Sequence, residues 1–204
     1  MSNVRQDSSS VKAMDQLRLT RHVSLELIKQ IHSIDLQIAE YSDRLDRQQQ
    51  DLDIALRATA NAPEERARVG RQESKLEATQ RALETFDQTA NVLAGALFQL
   101  VKQAMSIVHG SNKNYPNKGR AIHNLDLCDL VWQARNQAMH FEATKPDSNW
   151  ANEFYALNAI YPGKFSMSPP HVSRAKAIFD LLGWQDYKTY GADVMSLLIG
   201  NSKL

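Results

Sequence analysis

Apolar side chains recur along this chain at helical spacing almost from end to end. From Val11 to Leu56 there is neither proline nor glycine, and apolar residues return every three or four positions, which places them on one face of a helix. Within that stretch Ile31, Ile38, Leu45 and Leu52 stand seven apart, with Ile34 and Tyr41 three residues after the first two, as in a heptad seam. The seam weakens at Gln48. Asn61-Ala62-Pro63 then breaks the pattern. Pro63 at the head of a new helix, with Glu64 and Glu65 in its opening turn, suits the fixed φ of proline and the preference of a helix N-terminus for anions. A second helix is predicted over about 64–108, where Val69, Leu76, Leu83, Ala90 and Leu97 repeat every seven residues and are joined by Phe86, Leu93 and Leu100. Two matched seams around a short break predict an antiparallel, coiled-coil-like hairpin, and the same heptads also suit an intermolecular coiled coil. Arms of about 40 residues at a rise of 1.5 Å are roughly 60 Å long, more than a compact domain of this size needs. Residues of about 35–85 are therefore expected to protrude, with the polar, Gly70-containing end at the tip.

The remainder predicts shorter elements. A polar, turn-rich loop over 110–119 leads to Asn124, expected to cap a third helix that runs through Leu127, Leu130, Val131, Ala134 and Ala138 and ends before Pro146. Ser148 or Asp147 is expected to cap a fourth helix through Trp150, Phe154 and Leu157, stopping near Pro162-Gly163. A fifth follows Pro169-Pro170 through Val172, Ala175, Ile178 and Leu182 to Gly183, and a sixth spans Asp193 to Ile199. No segment shows convincing period-two alternation. The fold class is all-α: a helical bundle in which the long hairpin precedes three to four shorter helices. Residues 1–10 read as a polar, flexible tail, and 11–204 as a single domain.

Composition narrows the possible partners. The chain has 204 residues and 43% hydrophobic content, enough for a real core without staples. With 24 Lys and Arg against 23 Asp and Glu, any nucleic-acid contact must come from a local patch and not from a global field. A single cysteine, Cys128, and no Cys/His cluster at zinc spacing imply a reducing, cytoplasmic setting, with no metal and no cofactor. Cys128 reads as a buried, inert thiol. No run reaches the roughly 20 apolar residues of a membrane span, and the first ten residues lack the apolar core of a secretory signal.

The chemistry concentrates in Arg135-Asn136-Gln137-Ala138-Met139-His140, which combines a permanent cation, a polar amide and a group that exchanges protons near neutrality. Asn136 and His140, four apart, share a helix face. Arg135 and His140, five apart, are about 140° round from each other on a regular helix, and point the same way only if the helix ends or bends. The same residue types also recur near helix C-termini simply to offset the negative end of the dipole. Lys113, Lys118 and Arg120 form a basic loop without an acidic neighbour, either a solvated surface or a phosphate contact. Trp132 and Trp150 suit a core or an interface better than base stacking.

This motif on this architecture resembles the HEPN superfamily (higher eukaryotes and prokaryotes nucleotide-binding), whose active members carry Arg, four to six residues, then His, often with Asn directly after the Arg. Arg135, Asn136 and His140 match, with four residues between Arg and His. The resemblance covers the two long helices and everything after Asn124. It implies a metal-independent endoribonuclease, working as a homodimer with the two motifs facing across a shared cleft, and in bacteria often a toxin or an antiviral, abortive-infection effector under an antitoxin or regulatory protein. Some such toxins carry a modifiable tyrosine two residues after the histidine, where this chain has Glu142. The alternative is a non-catalytic helical module whose hairpin docks a partner protein, or one that binds a nucleotide.

Overall fold

A computed structural model describes residues 2–58, 63–110, 115–141, 148–166, 168 and 171–199. Among them the chain is all-α apart from one two-stranded hairpin: α1 (Ser2–Ala58), α2 (Pro63–His109), β1 (Ala121–Ile122), β2 (Leu125–Asp126), α3 (Leu127–His140), α4 (Ser148–Ile160), α5 (Ala175–Leu182) and α6 (Tyr187–Ile199). α1 begins at Ser2 and so takes most of the expected tail into the helix, and α2 opens on Pro63. The contacts divide the chain into two compact units, Met1–Ile31 with Asn91–Leu204, and His32–Ala90.

The second unit is a helical hairpin built on the predicted heptads. Tyr41 of α1 meets Phe86 of α2 edge to face at 5.1 Å, a favoured aromatic geometry, and Leu52 and Ala55 are buried. One heptad along from that pair, in opposite directions on the two antiparallel helices, stand Gln48 and Thr79. Thr79 is buried, and the side-chain oxygen Oε1 of Gln48 is buried without a hydrogen-bond partner. A buried acceptor left unsatisfied costs about 1–3 kcal/mol. Gln48→Leu is therefore expected to stabilise the hairpin by about 1–2 kcal/mol, read as a higher urea midpoint for loss of helical circular dichroism. An unchanged or lower midpoint would mean that the amide is satisfied in solution.

The first unit holds the main core. Phe98 of α2 packs on Trp184 at 5.0 Å, and Leu127, Leu130, Phe154, Phe165, Ile178 and Phe179 are fully buried with them. The α2 residues Asn91 to Met105 contain a single charge, Lys102, which stacks over Trp132 at 5.0 Å. This corrects the expectation that no stretch approaches a membrane span: Arg66–His109 includes a window apolar enough by length and composition to cross one. The same composition serves a core helix, since Ala94, Leu97, Phe98, Val101, Ala104 and Met105 of that stretch are buried.

Several boundaries differ from the sequence reading, each for a local reason. Asn124 does not cap α3. It lies in the turn between β1 and β2, where His123 adopts a left-handed φ of 56°. The first free N–H groups of α3 instead meet main-chain carbonyls, Leu127 N donating to Arg120 O and Cys128 N to Lys118 O, both at 3.0 Å, which satisfies donors that a helix start otherwise leaves orphaned. Gly119 between them has φ +71° and no room for a side chain, since a Cβ would come within 2.9 Å of Leu127. α5 starts at Ala175, later than predicted, because Val172 and Arg174 are bonded elsewhere and Asn91 Oδ1 accepts from Lys176 N at 3.0 Å. It ends at Leu182, and Gly183, where the sequence reading stops the helix, forms a left-handed cap with φ 71°. α6 starts six residues early, at Tyr187, because Asp186 accepts from the N–H groups of Lys188 and Thr189. The Thr189 hydroxyl also donates to Asp186, at 2.9 Å, and this bond first, then the two N–H bonds, holds the Asp186 carboxyl below its usual range.

Candidate active site

α3 carries the motif, and its amphipathic pattern sets where each member points. Leu127, Leu130, Val131 and Ala134 fill the core side. Ala138 faces α2, where a Cβ added to Gly95 would lie only 3.0 Å from the Ala138 methyl, so the two helices approach closely at a glycine. One turn further along α2 and back along α3, Arg135 Nε donates to Gln99 Oε1 at 2.6 Å. Its Nη1 donates to Asn136 Oδ1 at 3.3 Å, and Asn136 Nδ2 to Gln133 Oε1 at 3.4 Å. The guanidinium is thus braced on its Nε side by an α2 amide.

His140 is the last residue of α3. Phe141 after it keeps right-handed helical angles, φ −64° and ψ −21°, so the helix neither bends nor unwinds inside the motif. His140 is exposed and has no hydrogen-bond partner among the described residues. Asn136 therefore sits below His140 on one face, while Arg135 is turned about 140° away toward α2. A single chain brings the Arg135 guanidinium to Asn136, whose helix face His140 shares one turn further on. Gln137, inside the motif but given no role by sequence, is buried and spans two main-chain groups: Nε2 donates to Val172 O, and Oε1 accepts from Arg174 N, each at 2.8 Å. Gln99 and Gln133 were also missed. The only sequence signal for Gln99 is an amide interrupting the apolar part of α2.

The basic loop takes other partners. Lys113 lies outside the described residues, as do Glu142 and the side chain of Trp150. Lys118 pairs with Asp129, Nζ lying 3.3 Å from both oxygens, on an exposed surface. Arg120 clamps α6: Nε and Nη2 donate to the two oxygens of Asp193 at 2.8 and 3.0 Å, and Nη2 also to Leu182 O at 2.7 Å. Trp184 Nε1 completes the cluster with a 2.9 Å bond to Asp193 Oδ2. Lys118 and Arg120 lie against the first turn of α3. His140 ends the same helix about 20 Å further along it. Among the described residues no group of three His, Cys, Asp or Glu side chains could hold a metal ion.

Two other titratable groups sit near α3. Cys128 is buried, which pushes its thiol up to about 11, and at neutral pH it is an inert, protonated thiol. Glu153 of α4 has a buried oxygen, Oε2, without a hydrogen-bond partner. Burial first, then the charges of Asp129 and Asp126, push its carboxyl up to about 7, against a smaller opposing pull from Lys118. A carboxyl raised on folding binds more protons folded than unfolded between its two values, so stability falls as pH rises from about 4.5 to about 7 and levels off above. Glu153→Gln should remove that slope and raise stability at pH 8 by about 1–2 kcal/mol, discounted for partial exposure. Urea midpoints of both proteins at pH 5 and pH 8 test this, and parallel shifts in the two would exclude Glu153 as the source.

No family model, curated protein or solved structure matches the chain.

Proposed function

We propose that the protein is a metal-independent endoribonuclease of HEPN type, a toxin or antiviral effector of the reducing cytoplasm. The observation that supports this reading is the state of the motif at the end of α3: Arg135 braced by Gln99 and joined to Asn136, with an exposed His140 one turn beyond that has no hydrogen-bond partner among the described residues. His140 relays a proton as a ribose 2′-hydroxyl attacks the adjacent phosphate. Arg135 neutralises charge growing on the phosphoryl oxygens and cannot itself deprotonate. Asn136 orients the phosphate or the imidazole. RNA is the substrate class because the attacking group is the 2′-hydroxyl, and the products carry a 2′,3′-cyclic phosphate.

The reading includes a homodimer in which a second copy completes the site. Beside Gln99, the face of α2 carrying Val92, Ala96, Gln103 and Ile107 is exposed and uncharged, and Met139 on α3 is exposed next to His140. These residues suit a self-associating surface flanking the motif. The test is incubation of the purified protein with total RNA in EDTA. Cleavage that leaves cyclic-phosphate ends and spares DNA supports the reading, and strict metal dependence refutes it.

A further inference from the structure

We infer that His171 supplies a second proton-transfer group to the site containing His140, an inference that rests on the ribonuclease reading. Cleavage by 2′-hydroxyl attack moves two protons. One leaves the 2′-oxygen as the new P–O bond forms, and another must reach the 5′-oxygen as its bond to phosphorus breaks, so a base and an acid are needed on opposite sides of the phosphate. The face of α3 that presents Asn136 and His140 has a wall on each side. On one side lies α2, joined through Arg135 and Gln99. On the other lies the segment preceding α5, joined through the two 2.8 Å bonds of Gln137 to Val172 and Arg174.

Gln137 is three residues before His140, so its side chain is about 60° round and one turn below. His171 directly precedes the residue that Gln137 holds, its Cα about 3.8 Å from that of Val172. It is exposed and adopts φ 62°, a left-handed conformation that side-chain-bearing residues rarely take and that persists where the surroundings impose it. The segment is fixed further on: Arg174 Nε donates to Ser166 O at 2.9 Å, and Asn91 Oδ1 accepts from Lys176 N. Gln137 thereby ties the segment that carries the exposed imidazole of His171 to the helix that ends in His140. In the reaction one imidazole accepts the 2′-hydroxyl proton and the other, as imidazolium, donates to the departing 5′-oxygen. Exchange with water restores both.

His171→Asn is the informative variant, since asparagine tolerates left-handed angles and does not titrate near neutrality. His171→Gly relaxes the same backbone and guards against misfolding. With RNA in EDTA, both should cleave at least about 100-fold more slowly than the parent, keep its thermal melt, and lose one limb of the bell-shaped pH–rate profile. Cleavage within about threefold of the parent, or a loss of rate with the bell intact, overturns the role of His171. Absence of cleavage by the parent protein overturns the ribonuclease reading itself, so the two failures are distinguishable.

Discussion

His140→Ala is expected to abolish RNA cleavage while leaving the fold untouched. The imidazole is exposed at the end of α3 and makes no hydrogen bond to a described residue, so its removal opens no core cavity and orphans no partner among the described residues. A general acid or base contributes about 10²–10⁴-fold in rate, and at least that much should be lost at unchanged thermal stability. Arg135→Lys should lose a comparable factor for a different reason. An ammonium keeps the charge but replaces a planar fork with a single point, so it cannot bond Gln99 and Asn136 while offering a free edge to a phosphate. Gln99→Ala leaves the guanidinium in place but unbraced, and should cost less than either. Cleavage assays on the three proteins in EDTA, beside their melting curves, check the order. Full activity of His140→Ala would end the catalytic reading and favour a helical interaction module.

The largest effect on folding is expected at Asp193. Its carboxylate is buried at 5% exposure and accepts from Arg120 Nε, Arg120 Nη2 and Trp184 Nε1. Asp193→Ala strands the indole N–H of Trp184, a fully buried residue, at about 1–3 kcal/mol, and leaves Arg120 without its counter-ion. Because the Arg120 side chain is 43% exposed, water recovers part of that second loss. The total is about 3 kcal/mol, a large share of a typical stability of about 5–15 kcal/mol. Tryptophan fluorescence during urea unfolding is the appropriate probe, since Trp132, Trp150 and Trp184 all fall in the unit that contains Asp193. Asp193→Asn keeps an acceptor for the indole and should retain about half of the loss. A midpoint unchanged by Asp193→Ala would show that Arg120 and Trp184 find water instead.

The all-α class and the two long helices were legible because a seven-residue repeat carried by Ile31, Leu45, Leu76 and Leu83 is a one-dimensional signal of helix packing. Gly183 at the end of α5 was legible for a similar reason: a left-handed cap is a local property. The early start of α6 carried a signal in Asp186, a capping residue type that accepts from Lys188 N and Thr189 N. The late start of α5 had none, since it depends on Asn91 and Gln137 reaching in from other helices. Arg120 shows the limit most clearly. In sequence it belongs to a basic loop, and only the folded chain brings Asp193, 73 residues later, to its guanidinium. The candidate site divides in the same way. Arg135, Asn136 and His140 could be picked out from residue type and spacing, whereas Gln99, which braces Arg135, and Gln137, which ties the segment before α5 to α3, became visible only once α2 and that segment were laid against α3.

Asn91, Gly95 and Gln99 follow one another at four-residue intervals along α2, and each meets a different part of the motif's surroundings: the first turn of α5, the methyl of Ala138, the guanidinium of Arg135. Together they act as a ruler of three marks. A slide of α2 by one turn, about 5.4 Å, would put Asn91 or Gln99 in place of Gly95 and drive a side chain into Ala138, where even an added Cβ comes within 3.0 Å. The register of α2 against α3 is thus set at Gly95, and with it the reach of Gln99 to Arg135 one turn along.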